Sequence, residues 1–209
     1  MQLPAAGKPR IHYLETEEAK RLADAQSEPY RSFSALLAGS GIEVSVALTL
    51  RRRDVDVAHR EIRAPGTKTH SRDRIVRVAE WAWPYVMQRL SGLLPDAKLF
   101  AEIPDRWDAR DAHARAIKGT PAAGDLPAIA GLGAEFPIFR GYTMRDQRHT
   151  YAVRAIRAGT PAELVARQLG HANAVLVHKV YGRFIPDSEE REKWELIATA
   201  RDLERTRGA

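Results

Sequence analysis

The sequence contains no cysteine, and this absence excludes several kinds of chemistry. Disulfide bonds, thiolate catalysis and cysteine-ligated zinc are all ruled out. No apolar run approaches the roughly 20 residues that a membrane-spanning helix needs, and residues 1–8 lack the apolar core of a signal peptide. Histidines and carboxylates do not cluster at metal-ligand spacing. We therefore expect a soluble cytoplasmic protein that needs no metal and no cofactor.

Positive charge, by contrast, is in excess. The 209 residues include 33 lysines and arginines against 27 aspartates and glutamates, so the formal net charge is +6. Arginines cluster at residues 51–53, 72–77 and 145–157, and the guanidinium group suits bidentate contact with phosphate. The charge indicates a polyanionic partner. The alternative is a basic surface that serves only solubility.

The pattern of apolar residues predicts one mainly helical α+β domain over residues 13–186. Its length is sufficient for a well-buried core. Residues 1–12 are expected to form a flexible lead, and residues 187–209 a charged tail helix with a sparse apolar face. Residues 119–133 are rich in Gly, Ala and Pro, which is typical of a loop.

A β-hairpin is predicted in the first half of the chain. Short runs of alternating residues cover 54–57, 61–64 and 74–78, and a Gly- and Thr-containing segment at 66–71 separates the last two. We expect these last two runs to pair as antiparallel strands, with Lys68 at a basic tip.

Several helix boundaries are predicted near the C-terminal end. Thr143 is expected to cap a helix, and residues 160–163 (Thr-Pro-Ala-Glu) combine a capping box with a proline at the first helical position. Gly170 should end that second helix. Asn173 is expected to cap the helix that carries Tyr181.

Polar groups near these helix ends suggest a site, although each has an ordinary explanation. Arg145, Arg148 and His149 share one helix face, where they repel each other unless an anion lies between them. The alternative is a solvated basic face. His171 lies at a helix end, where histidine is a common cap, and a lone tyrosine such as Tyr181 is most often a packing residue.

Taken together, these residue types match the needs of phosphodiester cleavage. The transition state gathers negative charge, so cationic donors aimed at the non-bridging oxygens supply much of the catalysis. A tyrosine forms a reversible phosphoester, and a lysine or histidine must protonate the departing 5′-oxygen. The combination predicts attack of a tyrosine on DNA.

These residues also resemble a known family. Residues 168–171 (Gln-Leu-Gly-His) followed by Tyr181 resemble the LGH…Y segment of the tyrosine recombinases, the phage integrase family. Residues 145–150 are similar to its HxLRHT segment, residues 39–50 to its TGLRxSExLxL segment, and residues 66–69 to its catalytic-lysine hairpin. The resemblance covers nearly the whole chain in the family's order and implies the family's catalytic fold.

Roles follow from the resemblance position by position. Tyr181 would be the nucleophile, Arg148 a phosphate-binding arginine, His171 a phosphate or proton-transfer group, and Lys68 the general acid. The DNA-contacting set would be Arg145, Arg148, His149, Lys68, His70 and Arg72.

The sequence departs from the family pattern at three positions. Glu43 stands where the family has its first catalytic arginine, and we expect it to be non-functional because its charge is reversed. Val46 replaces the following acidic residue, and Arg145 stands at the family's histidine position. We hypothesise that Arg145 takes over part of the missing phosphate contact.

Two functions of different classes follow. The first is a site-specific recombinase domain that forms a 3′-phosphotyrosyl link during integration, excision or resolution of mobile DNA. It would act on double-stranded DNA in the cytoplasm of a prokaryote or phage host, self-associate up to a tetramer, and use the tail helix for subunit exchange. The second is a catalytically degenerate recombinase fold that binds DNA as an accessory or regulator. A basic helical domain with only structural roles is a third possibility.

Overall fold

A computed structural model describes residues 11–65, 74–122 and 128–186. The fold is mainly helical with a small antiparallel sheet, as expected from the sequence. Its helices, in chain order, are α1 (Thr16–Asp24), α2 (Tyr30–Ser40), α3 (Val44–Ala47), α4 (Trp83–Leu90), α5 (Arg106–Lys118), α6 (Leu132–Glu135), α7 (Asp146–Arg157), α8 (Ala162–Leu169) and α9 (Val175–Tyr181). Its strands are β1 (Val55–Asp56), β2 (Glu61–Ala64), β3 (Arg74–Arg77), β4 (Gly119–Thr120) and β5 (Ile129–Ala130).

Helix α2 is the central element of the larger hydrophobic cluster. Every residue from Ser32 to Ser40 is buried, and the helix packs against α1, α4 and α7. It ends at Gly41, which has the left-handed conformation (φ 69°) that glycine adopts without steric cost. A Cβ atom there would lie 2.7 Å from the Tyr151 ring. The turn at Gly41 therefore directs the chain, and with it Glu43, towards α7.

The predicted hairpin is confirmed in its two strands. β2 and β3 pair antiparallel with Ile62 opposite Val76 and Ala64 opposite Arg74, and β1 adds a short third strand. The tip, which would hold Lys68, lies outside the described residues. Side chains alternate between the two faces of a strand, so Arg74 falls on the same buried face as Val76.

A second cluster joins α7, α8 and α9. Its buried members include Val153, Val165, Leu169 and Val177, and Tyr181 belongs to the same cluster. The packing of these three helices therefore sets the positions of the predicted C-terminal site residues relative to one another.

Two predicted helix caps are wrong. The N–H and hydroxyl of Thr143 both donate to the carboxylate of Asp146, at 2.7 and 2.6 Å, and α7 begins at Asp146. An ionised acceptor three residues downstream outcompetes the helix for the threonine hydroxyl. Helix α8 begins at Ala162 without a side-chain cap. Glu163 is therefore the second helical residue, one short of the third position that a capping box needs.

The remaining boundaries agree more closely with expectation. Gly170 ends α8 in the left-handed conformation. The cap position of α9 is Ala174 rather than Asn173, although Asn173 Oδ1 accepts a hydrogen bond from the N–H of Val175 at 3.0 Å. The predicted loop at 119–133 instead contains regular structure, because β4 and β5 pair within it and α6 begins at Leu132. In the described part of the chain, no helix is long and apolar enough to cross a membrane.

Candidate active site

Arg148, on α7, lies at the centre of the candidate site. Its Nη1 donates to the carbonyl of Gly41 at 2.8 Å and its Nη2 to the carbonyl of Leu169 at 2.5 Å. These carbonyls belong to the residue after α2 and to the last residue of α8, and carbonyls at a helix end lack partners within the helix. The guanidinium is thus fixed between two helix ends before any ligand arrives.

His171 contacts the same arginine. Its Nε2 lies 3.2 Å from Arg148 Nη2, whereas its buried Nδ1 has no hydrogen-bond partner among the described residues. Burial, reinforced by the positive charge of Arg148, lowers the pKa of His171 to about 4. The ring is therefore neutral near pH 7, with Nε2 accepting from the arginine and Nδ1 carrying the proton.

Glu43 bridges two arginines. Its Oε2 lies 2.7 Å from Arg74 Nη2, and its Oε1 lies 3.3 Å from Arg148 Nη1. Burial alone would raise the pKa of Glu43, but the charge of Arg148 and the hydrogen bond from Arg74 outweigh it, so the pKa is lowered. The carboxylate is ionised at neutral pH and offsets part of the positive charge in the site.

Arg74 is a member of this site that the sequence interpretation missed. Its side chain is only 3% exposed, and its Nε donates to the carbonyl of Gln168 at 2.8 Å. A Cβ atom on Gly170 would lie 2.7 Å from Arg74 Nη1, so the glycine leaves space for the guanidinium. The available signal was the position of Arg74 two residues before Val76 in an alternating strand.

Tyr181 lies at the end of α9, and its hydroxyl contacts His149. The Tyr181 Oη and His149 Nδ1 atoms are 2.8 Å apart, and Tyr181 as a whole is 3% exposed. Burial raises the pKa of the tyrosine hydroxyl, although the charges of Arg148 and Arg145 act in the opposite direction. Burial also lowers the pKa of His149. Both groups are therefore neutral at pH 7.

Arg145 lies at the start of α7 on the open side of the site. It is exposed and lines a groove of about 850 Å³ that continues to Glu43 and Arg148, with Met144 and Trp107 on its walls. Lys68, His70 and Arg72 lie outside the described residues, so their positions stay predictions.

The site contains the groups for acid–base and anion chemistry without a cluster of metal ligands. Within residues 11–65, 74–122 and 128–186, no group of three or more His, Asp or Glu side chains could hold a metal ion. The arrangement can bind an anion through Arg148, donate a hydrogen bond from His171 Nδ1, and present a hydroxyl nucleophile that is hydrogen-bonded to a neutral imidazole.

Comparison with known proteins gives distant matches. No protein-family model matches the sequence. The chain is 26% identical over 200 residues to the tyrosine recombinase XerS of Streptococcus sanguinis strain SK36, and the match covers 86% of this chain and 51% of that protein. The chain therefore spans about half the length of this curated relative.

Solved structures share the fold. The XerA recombinase matches with a TM-score of 0.59 and 24% identity, over 93% of this chain and 66% of that one. The Tn1549 transposon integrase, in complex with circular intermediate DNA, matches with a TM-score of 0.54 and 14% identity, over 91% and 68%. The chain is thus similar in sequence to a tyrosine recombinase over about half of that protein, and it shares the fold of these solved structures.

Proposed function

We propose that this chain cleaves and rejoins double-stranded DNA through a covalent 3′-phosphotyrosyl intermediate formed by Tyr181. The observation that carries the proposal is the convergence of α7, α8 and α9. These helices bring a buried tyrosine hydroxyl, a fixed arginine and two neutral histidines to one side of the fold. The Tn1549 integrase, which has this fold, was solved with DNA, and the net charge of +6 suits the same kind of partner.

In the proposed reaction Tyr181 Oη attacks the scissile phosphorus while the bond to the 5′-oxygen breaks. Arg148 and His171 Nδ1 donate to the non-bridging oxygens, where charge develops in the transition state. The departing 5′-oxygen takes a proton from Lys68, which the resemblance makes the general acid. Rejoining is the same step in reverse, with the 5′-hydroxyl as nucleophile.

Covalent trapping tests the proposal. The protein is incubated with a pool of duplexes that carry a nick beside varied core sequences, so that the short 5′-hydroxyl fragment diffuses away after cleavage. An adduct that survives denaturation, and that is absent with Tyr181→Phe, supports the proposal. Tyr151→Phe is the matched control, because Tyr151 is also partly buried on α7. An adduct that persists in Tyr181→Phe would refute the assignment of the nucleophile.

A second function is favoured by one specific contact. Glu43 lies 3.3 Å from Arg148, so a carboxylate already occupies one side of the arginine that would bind phosphate. Under this alternative the chain binds DNA as an accessory or regulator without cutting it. Salt-dependent binding of duplex DNA, with no adduct on any member of the nicked pool, would favour this second function over the first.

The wider biological setting is also a proposal. Integration, excision or resolution of mobile DNA in a prokaryotic or phage-host cytoplasm would use self-association up to a tetramer on DNA. Residues 187–209, which lie outside the described residues, would supply the subunit-exchange helix. Sedimentation with and without residues 187–209 tests this role, because unchanged oligomerisation on DNA would contradict it.

A further inference from the structure

The hydroxyl of Tyr181 lies against the imidazole of His149. Its Oη lies 2.8 Å from His149 Nδ1, and the two rings are inclined at 58° with their centroids 5.7 Å apart. His149 lies on α7 and Tyr181 on α9, so the packing of two helices maintains the contact. The resemblance had suggested only a DNA-contacting role for His149. The contact with the nucleophile suggests a different one.

We propose that His149 is the general base that accepts the proton of Tyr181 during DNA cleavage. The inference rests on the proposed function, because it assigns a role within the same step. As Tyr181 Oη forms its bond to phosphorus, the proton on Oη moves to His149 Nδ1. The bond from phosphorus to the 5′-oxygen breaks, and that oxygen takes a separate proton from the general acid. Rejoining returns the proton from His149 to the tyrosine oxygen.

The protonation states required for this transfer are those that the environment favours. A buried tyrosine with a raised pKa keeps its proton at neutral pH, so attack requires an acceptor. His149 is neutral because burial, together with Arg145 and Arg148, lowers its pKa and outweighs the opposite effect of Asp146. With the proton on Nε2, the Nδ1 lone pair points at the tyrosine hydroxyl.

The charged groups around His149 also suit the product of the transfer. Asp146 lies on the same helix, and its negative charge favours the imidazolium that forms. Arg145 and Arg148 disfavour that imidazolium, which makes it a ready proton donor for the reverse step. The charged groups that shift the pKa of His149 are thus Asp146, Arg145 and Arg148, and the titratable group that faces it is Tyr181 on α9.

Two other bases in the site are already engaged. The Nε2 lone pair of His171 faces Arg148 Nη2 at 3.2 Å, and the Glu43 carboxylate pairs with both Arg74 and Arg148. A base that accepts from a guanidinium is a poor acceptor for a second proton. His149 Nδ1 instead faces the nucleophile itself.

The test separates activation of the nucleophile from protonation of the leaving group. An oligonucleotide duplex is prepared in which the scissile phosphate carries a p-nitrophenyl ester in place of its ester bond to the 5′-oxygen of the next nucleotide. This leaving group departs without a proton, so the rate of adduct formation reports on Tyr181 and its base. The rate of adduct formation is followed from acid to alkaline pH in three proteins: the unmodified chain, His149→Asn, and His171→Asn as the matched control. Asparagine is chosen at position 149 because its amide oxygen can still accept a hydrogen bond near the Nδ1 position.

We expect the rate of adduct formation in the unmodified chain to fall at acid pH. This acid limb of the pH–rate profile should lie below the ordinary histidine pKa of about 6.5, because it reports protonation of His149. In His149→Asn the rate should fall by about 10²-fold or more, and that limb should be replaced by a rise with pH as hydroxide removes the tyrosine proton. His171→Asn should lose rate yet keep the His149 limb. Added imidazole should restore part of the rate in His149→Gly, in which the ring space is empty.

A rate in His149→Asn within a few-fold of the unmodified chain, with the same acid limb, would overturn the assignment of His149 while leaving the Tyr181 adduct intact. Absence of an adduct in the unmodified chain, on both the nicked duplexes and the activated ester, would instead overturn the proposed function and this inference with it. Circular dichroism and duplex binding of each variant distinguish loss of the base from loss of the fold.

Discussion

Arg74 Nη2 donates to Glu43 Oε2 at 2.7 Å, and this pair determines what a substitution at position 43 does. The guanidinium of Arg74 is nearly inaccessible to solvent, so the carboxylate supplies charge compensation to a buried cation. We therefore expect Glu43 to stabilise the fold, a role that is separate from the prediction that it is catalytically non-functional. Restoring the family's arginine at this position would create a cluster of three guanidiniums.

We expect Glu43→Arg to destabilise the protein, because it replaces the carboxylate that pairs with the buried Arg74 by a like charge; breaking a buried ion pair usually costs about 3–5 kcal/mol. Combining it with Arg74→Glu should recover part of this loss, because the ion pair is re-formed with its charges exchanged. Urea unfolding of the two single variants and the double variant measures the coupling. If the two changes are additive, the ion pair does not have the role given to it here.

Gly170→Ala should be more costly than an alanine at another left-handed glycine. Both Gly170 (φ 71°) and Gly159 (φ 83°) would incur roughly 1 kcal/mol of backbone strain on substitution. At Gly159 a Cβ atom meets nothing within 4 Å, whereas at Gly170 it lies 2.7 Å from the guanidinium of Arg74. That guanidinium is held by Gln168 and Glu43 and cannot move freely.

The measurement for this comparison is the free energy of unfolding of Gly170→Ala and Gly159→Ala in urea. Gly170→Ala should also reduce adduct formation, because displacement of Arg74 shifts both Glu43 and the neighbouring His171. Equal losses of stability in the two variants would mean that the guanidinium adjusts without cost.

Stability should fall as the pH is lowered from about 6.5 to 4, in part because of His113. This residue is 2% exposed, and burial lowers its pKa to about 4. In the intervening pH range the unfolded chain binds a proton that the folded chain does not, so stability is present above 6.5 and lost towards 4. The difference corresponds to about 3 kcal/mol.

His113→Asn tests this dependence without removing the hydrogen bond, because the asparagine oxygen can replace Nδ1 as the acceptor from Gln147. The slope of unfolding free energy against pH should be shallower in this variant between pH 4 and 6.5. His59→Asn is the control, since His59 is exposed and its pKa is raised by the hydrogen bond that it donates to Asp56, so its loss should change the slope in the opposite direction. A slope unchanged by His113→Asn would contradict the buried neutral histidine.

Arg145→Ala should separate catalysis from folding. The side chain is exposed at the edge of the groove, so the free energy of unfolding should change by less than about 0.5 kcal/mol. If Arg145 replaces the missing phosphate contact, adduct formation should fall by about 10²–10³-fold, as for the loss of one transition-state donor. Arg140→Ala, another exposed arginine, is the control for a general loss of positive charge. Unaffected cleavage in Arg145→Ala would refute the hypothesis.

Local patterns were sufficient to predict much of the framework. The alternating runs predicted the β2–β3 hairpin because side chains in a strand repeat every two residues, so a short alternating run is enough to recognise one. Gly170 marked the end of α8 because a left-handed terminus favours glycine strongly. The resemblance also singled out Arg148, His171 and Tyr181, which the structure brings to one side of the fold.

Properties that depend on distant partners were not predictable in this way. Glu43 looked incompatible with the site because its partner Arg74 lies 31 positions away in sequence, on a strand whose buried face the pattern alone did not define. The hydrogen bond between His149 and Tyr181 likewise depends on how α7 and α9 pack. The capping box at residues 160–163 was wrong because a shift of one residue in the helix start removes it.

Arg148 also joins two parts of the molecule that have separate cores. Through the carbonyls of Gly41 and Leu169 it ties the end of α2, in one hydrophobic cluster, to the end of α8, in the other. A protein of this fold that does not cut DNA would still use this arginine to hold the two helix ends together. The presence of the arginine in a relative is therefore weak evidence of activity. The contact between His149 and Tyr181, by contrast, does not connect the two hydrophobic clusters.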